Sequence, residues 1–143
     1  RIFDASLARS NTNPKKIYCI DHSFISSVSS GILVNSGHLL ENLVFIALRR
    51  FYSEIYYYKT KNNREVDFIT IEPGKTQMLI QVCESLAAPQ TRKRETTALV
   101  EAMMELNIKS GIIVTQNEEE KIETDNGIIN VVPVWRFLLD MSK

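Results

Sequence analysis

The strongest constraint on this chain is a set of three strand-like segments, residues 54–60, 65–71 and 78–84, rich in β-branched and aromatic side chains. They are joined by Lys61-Asn62-Asn63-Arg64 and, further on, by Glu72-Pro73-Gly74-Lys75. Both links are short and turn-rich, so the three segments must run as an antiparallel meander. Everything else in the fold has to be arranged around that sheet.

Ahead of the meander, Leu39, Leu40, Leu43, Val44, Ala47, Leu48 and Phe51 recur at helical spacing and predict a helix over 37–52, capped by Ser36, with Glu41 at the flank of its apolar stripe. Behind it, a second helix is expected over 90–106, burying Leu99, Val100, Met103 and Met104. Arg92, Lys93 and Arg94 crowd its first turns, against the helix dipole. Such a placement suits a solvated helix end and equally an anion site. A strand follows at 112–115. Segments 121–124 and 128–132 flank Asp125-Asn126-Gly127, a hairpin signal, and 134–141 closes the chain as a short helix. Near the N-terminus, 16–20 reads as a strand stopped by Asp21-His22-Ser23. Residues 1–15, ending in Ser10-Asn11-Thr12-Asn13-Pro14, read as a linker or the tail of an upstream domain. The expected fold is therefore one α/β domain over 16–143, a mixed central sheet made of the antiparallel meander plus a further strand and flanked by helices.

Composition narrows the class. A chain of 143 residues, 44% apolar and 24% charged, suits a single packed core and excludes disordered, coiled-coil and collagen-like organisation. No apolar run approaches the roughly 18 residues of a membrane span. Lys+Arg and Asp+Glu both number 17, so the chain does not hold nucleic acid by bulk charge. The neutrality is a sum of unlike parts: residues 1–35 and 36–95 each carry +2, and 96–143 carries −4. Cys19 and Cys83 lie in separate apolar runs, which suits a reduced, cytoplasmic protein. With only His22 and His38 as further soft ligands, no zinc spacing is present. The first residue is Arg1, and the sequence reads as a piece of something longer.

The order helix, three-strand meander, helix, strand resembles the PD-(D/E)XK nuclease superfamily and its restriction-endonuclease-like fold. Leu39-Leu40-Glu41-Asn42-Leu43-Val44, Tyr56-Tyr57-Tyr58-Lys59-Thr60, Arg64-Glu65-Val66-Asp67-Phe68-Ile69 and Leu79-Ile80-Gln81-Val82-Cys83 resemble, more narrowly, the nuclease-like C-terminal domain of prokaryotic AAA+ type ATPases. That resemblance implies an acidic site. Nucleases of this kind hold a divalent metal between carboxylates and place a Lys two positions beyond the second acid, on the same strand face. Carried onto this chain, Asp67 takes the first acidic position and Glu41 the auxiliary acid on the helix. These two would be the metal ligands of an active enzyme. Gln81 stands where the second acid would be and Cys83 where the Lys would be. Gln81 brings no charge to hold Mg²⁺, and a thiol with an ordinary pKa near 8.5 is no substitute for an ammonium. Glu84 falls on the opposite strand face if alternation continues.

Each of these residues has a plainer reading. Glu41 can be an ordinary helix-flank acid. Asp67 can be paired with Arg64 or Lys59. Cys83 can be a small buried hydrophobe, and Tyr56, Tyr57 and Tyr58 strand formers rather than base-stacking groups. The expectation taken forward is a nuclease-like domain of an ATPase-containing protein, catalytically degenerate at Glu41, Asp67, Gln81 and Cys83. Lys59, Arg92 and Arg94 are its candidate phosphate neighbours. No cofactor is expected of it, with Mg²⁺ only if it is active and ATP only through an upstream domain. Its DNA contact should be weak and salt-sensitive, with an upstream ATPase domain or a second copy as further partners. The alternatives are an active Mg²⁺-dependent DNA nuclease and a protein–protein or dimerisation module.

Overall fold

The structure, a computed structural model, describes residues 3, 16–18, 36–74 and 77–142. Helix α1 (Ser36–Arg49) leads into the meander β1 (Ile55–Lys59), β2 (Glu65–Thr70) and β3 (Met78–Val82). Helix α2 (Pro89–Leu106), strand β4 (Ser110–Thr115), the hairpin β5 (Glu120–Thr124) and β6 (Gly127–Pro133), and helix α3 (Val134–Met141) follow. The expected α/β class and mixed sheet are present. The hairpin joins the same sheet, giving six strands in the order β1-β2-β3-β4-β6-β5. The meander is antiparallel, β4 runs parallel to both β3 and β6, and β5 pairs antiparallel with β6. The expected strand at 16–20 lies partly outside the described residues, and its described part, Lys16 to Tyr18, is irregular. His22 and Cys19 also fall outside them.

Alternation splits the core into two layers. Leu79 and Ile113 face α2, packing with Ala98, Leu99, Ala102 and Met103. Their neighbours Ile80 and Val114 face α1 and α3, packing with Val44, Ala47, Leu48 and Phe137. Two expected core residues lie outside. Met104 is 60% exposed because Ala98 and Ala102, whose small side chains bring α2 close to the sheet, take the buried stripe. Phe51 is 41% exposed because α1 stops at Arg49, where the chain turns toward β1 through Phe51 and Tyr52 N–H bonds to the Leu48 carbonyl. The hairpin turn closes on Gly127 at φ +142°, with the Lys109 carbonyl so near that an added Cβ would sit 1.9 Å from its oxygen. Among the described residues no helix is long and apolar enough to cross a membrane.

Strand β2 does not alternate strictly. Tyr56 pairs with Ile69 and Tyr58 with Val66, so β2 takes one more residue than β1 over the same stretch. This bulge sets Asp67 and Phe68 together opposite Tyr57. Val66 and Ile69 consequently face α2, while Phe68 faces α1.

Candidate functional site

A cleft of about 520 Å³ opens where β2 and β3 part, between the N-terminal turns of α1 and α2. Glu41, Asp67, Gln81 and Cys83, singled out from the sequence, all line it, as do Glu84, Glu95 and Arg94. Glu84 reaches the cleft because β3 ends at Val82, so strand alternation no longer governs the residues beyond. Lys59 and Arg92 are not among the lining residues. Lys59 is exposed at the end of β1. Arg92 turns away to an ion pair with Glu120 on β5. Arg64, a suggested partner for Asp67, instead pairs with Glu101 at 3.0 Å.

The residue that does partner Asp67 is Lys16, which sequence reading left inside a strand. Its ammonium lies 2.6 Å from Glu65 Oε1, 3.3 Å from Glu41 Oε1 and 3.4 Å from Asp67 Oδ1, with the Tyr57 ring centroid 5.3 Å away. Tyr18 adds a hydroxyl bond to Glu41 at 2.7 Å and stacks on Phe45 at 4.3 Å between centroids. Segment 16–18 is thereby fastened to α1 and β2 at the acids themselves. The only sequence signal for this was a lysine two positions ahead of a tyrosine, too common a pair to stand out.

The electrostatics follow. Burial, then the neighbouring Glu41 carboxylate, push Asp67 up to about 7 against the opposing pull of Lys16 and of the Val82 N–H, which Asp67 Oδ2 accepts at 2.9 Å. Burial alone would lower the Lys16 ammonium, but Glu65, Asp67 and Glu41 outweigh it and hold it above the ordinary lysine range. Burial, then Glu41, raise the Tyr18 hydroxyl.

On the α2 side, Gln81 is part of the sheet. Its Oε1 accepts the Asp67 N–H at 3.0 Å, and its Nε2 donates to the Glu65 carbonyl at 3.2 Å and to the Glu95 carboxylate. Glu95 in turn accepts Arg94 Nε at 2.9 Å and Nη2 at 2.6 Å. Gln81 thus bridges β2 and β3 beyond Phe68 and Ile80, where their backbone pairing ends, and keeps a buried carboxylate hydrogen-bonded. Cys83 is a buried free thiol, pushed up to about 12 by burial and then by Glu95. It packs with Leu86 in the α2-side core, as a small hydrophobe would.

The divalent metal that the nuclease resemblance implies does not fit this donor set. Such an ion needs several oxygen ligands at about 2.0 to 2.6 Å. Among the described residues no group of three or more His, Cys, Asp or Glu side chains is arranged to hold one. The Gln81 oxygen and Asp67 Oδ2 are each turned to a backbone N–H, and Glu41 Oε1 and Asp67 Oδ1 are turned to the Lys16 ammonium. The arrangement can hold a positive side chain and fix a proton among crowded acids.

Fold and cleft define an α/β domain with an acidic site on a mixed sheet, its acids partly countered by Lys16 and Arg94. The chain belongs to the family described as "Domain of unknown function (DUF4143)", which it matches over residues 36–137. It is also 38% identical over 136 residues to an uncharacterized protein of Methanocaldococcus jannaschii, a match covering 87% of this chain and 29% of that protein. The chain therefore spans less than a third of that relative's length. No solved structure matches it.

Proposed function

We propose that this domain is a catalytically silent relative of the PD-(D/E)XK nucleases, serving as a binding or regulatory module of a larger, ATPase-containing protein. The observation that carries this reading is the engagement of Gln81, which spends its oxygen on the Asp67 N–H and its amide on Glu65 and Glu95. Where a second metal-binding carboxylate would be needed, the chain has a residue that holds the sheet together. Cys83, at the position of the family lysine, is neutral at physiological pH and adds no positive charge.

The charge of the cleft supports the same reading. Glu41, Asp67, Glu84 and Glu95 line it and Glu65 stands beside it, against Lys16 and Arg94. Without a metal, that balance repels phosphate, so DNA contact by this domain alone is weak and salt-sensitive. The test is incubation with Mg²⁺ or Mn²⁺ and single-stranded, duplex and branched DNA. Cleavage no greater than that of Asp67→Ala is expected, and robust Asp67-dependent cleavage would establish the active nuclease instead.

A second reading, a protein–protein or dimerisation module, has one observation of its own. Trp135 and Leu139 lie one turn apart on α3 and are 56% and 55% exposed. Sedimentation of the wild type beside a Trp135→Ser, Leu139→Ser double variant distinguishes it: an oligomer lost in the variant would favour this reading.

A further inference from the structure

The acids of the cleft do have a cation, and the chain supplies it. Lys16 Nζ lies against three carboxylates from two elements: Glu41 of α1, and Glu65 and Asp67 of β2. An ammonium has three N–H donors and no acceptor. Three separate carboxylate oxygens, one for each donor, surround it, and the Tyr57 ring faces the same charge. A guanidinium is a planar fork that suits one bidentate carboxylate, and a divalent ion requires shorter contacts and more oxygens than this cluster offers. Shape, donor number and charge all match a primary ammonium.

We propose that the Glu41, Glu65 and Asp67 cluster is a primary-ammonium site, filled in cis by Lys16, and that this built-in cation takes the place of a metal in the domain. The site latches segment 16–18 onto the sheet. It offers a position that an external alkylammonium group, a free amine or a lysine side chain, can enter only when Lys16 is removed. Tyr18 strengthens the latch by binding Glu41 from the same segment. The inference rests on the silent-cleft reading in one respect, since both deny the acids to a divalent ion. The DNA-cleavage assay tests that reading, and an experiment without DNA tests this one.

The test is chemical rescue of Lys16→Ala, followed by thermal unfolding of the full chain. The variant should melt below the wild type. Butylammonium chloride should raise its midpoint by about 2 °C or more beyond the effect on the wild type, as expected for a ligand that binds only the folded state. Tetramethylammonium chloride and MgCl₂, matched for ionic strength, should not. Lys16→Arg should melt near Lys16→Ala rather than near the wild type. Stabilisation of Lys16→Ala by Mg²⁺ or Mn²⁺ but not by the amine, or full retention of stability in Lys16→Arg, would overturn the proposal. A second measurement needs no variant: in brief acetylation of the wild type read by mass spectrometry, Lys16 should react about tenfold more slowly than the exposed Lys59 and Lys61. Equal rates would also overturn it.

Discussion

The side-chain oxygen of Gln81 accepts the backbone N–H of Asp67 at 3.0 Å, just past the end of the β2–β3 ladder. Asp67 and Gln81, which the nuclease resemblance would make metal-ligand positions, are thus joined as donor and acceptor of one structural hydrogen bond. An amide can do this because it offers a donor and an acceptor at once, and a carboxylate at the same point would have only acceptors.

Gln81→Glu therefore should destabilise the domain. The variant loses the donors to the Glu65 carbonyl and to Glu95, and sets a new acid beside a buried one. A cost of about 1 to 3 kcal/mol is expected from unsatisfied buried acceptors. The new carboxyl's pKa would be raised in the fold by its like-charged neighbours, so the penalty should grow as pH rises. Urea unfolding at pH 5 and pH 8 checks both, and a variant as stable as the wild type at pH 8 would contradict the bonding described.

Asp67 carries its own pH dependence. Its folded value near 7 exceeds the unfolded one near 3.8. The folded state thus binds the proton more tightly, and the stability this confers is fully present below about pH 4 and lost as pH rises through about 7. Comparing Asp67→Asn with the wild type removes the other titrating groups from view. The difference in unfolding free energy should move in favour of the variant between pH 5 and pH 8, and a flat difference would show that Asp67 titrates normally.

Two neighbouring arginines should behave differently. Arg94→Ala deprives Glu95, whose side chain is only 6% exposed, of its charged partner. The expected loss is about 1 kcal/mol, toward the low end for a buried acceptor because Arg94 itself is 67% exposed. Arg92 and Glu120 are 40% and 41% exposed, and Arg92→Ala should hardly move the melting temperature. Parallel thermal melts decide this, and equal losses would mean that Glu95 is less dependent on Arg94 than its geometry states.

Gly127→Ala tests the hairpin. The position has φ +142° and no room beside the Lys109 carbonyl, so any side chain there strains the turn and separates β6 from the α2–β4 link. A loss above about 2 kcal/mol is expected. Its signature would be a lower unfolding midpoint, and a variant within experimental error of the wild type would show that the turn can relax.

Much of the architecture could be read from the sequence because its determinants are local. The apolar spacing of Leu40, Val44, Ala47 and Leu48 marks α1 within a few turns. The short links force the meander, and Asp125-Asn126-Gly127 marks the hairpin. The sequence also picked out Glu41, Asp67, Gln81 and Cys83, which do share a cleft. What each of them does there depends on distant partners. Alternation along Val66-Asp67-Phe68-Ile69 cannot foretell a bulge, because the extra residue arises only from how β2 pairs with Tyr56 and Tyr58 of β1. Nothing near Asp67 names Lys16, which lies 51 positions away and is brought there by the packing of Tyr18 on Phe45. Periodicity and turn chemistry act over a few residues and so are written in the chain order. Neutralising a buried charge depends on which groups the folded chain brings within about 4 Å, and that was decided only when the layers closed around the sheet.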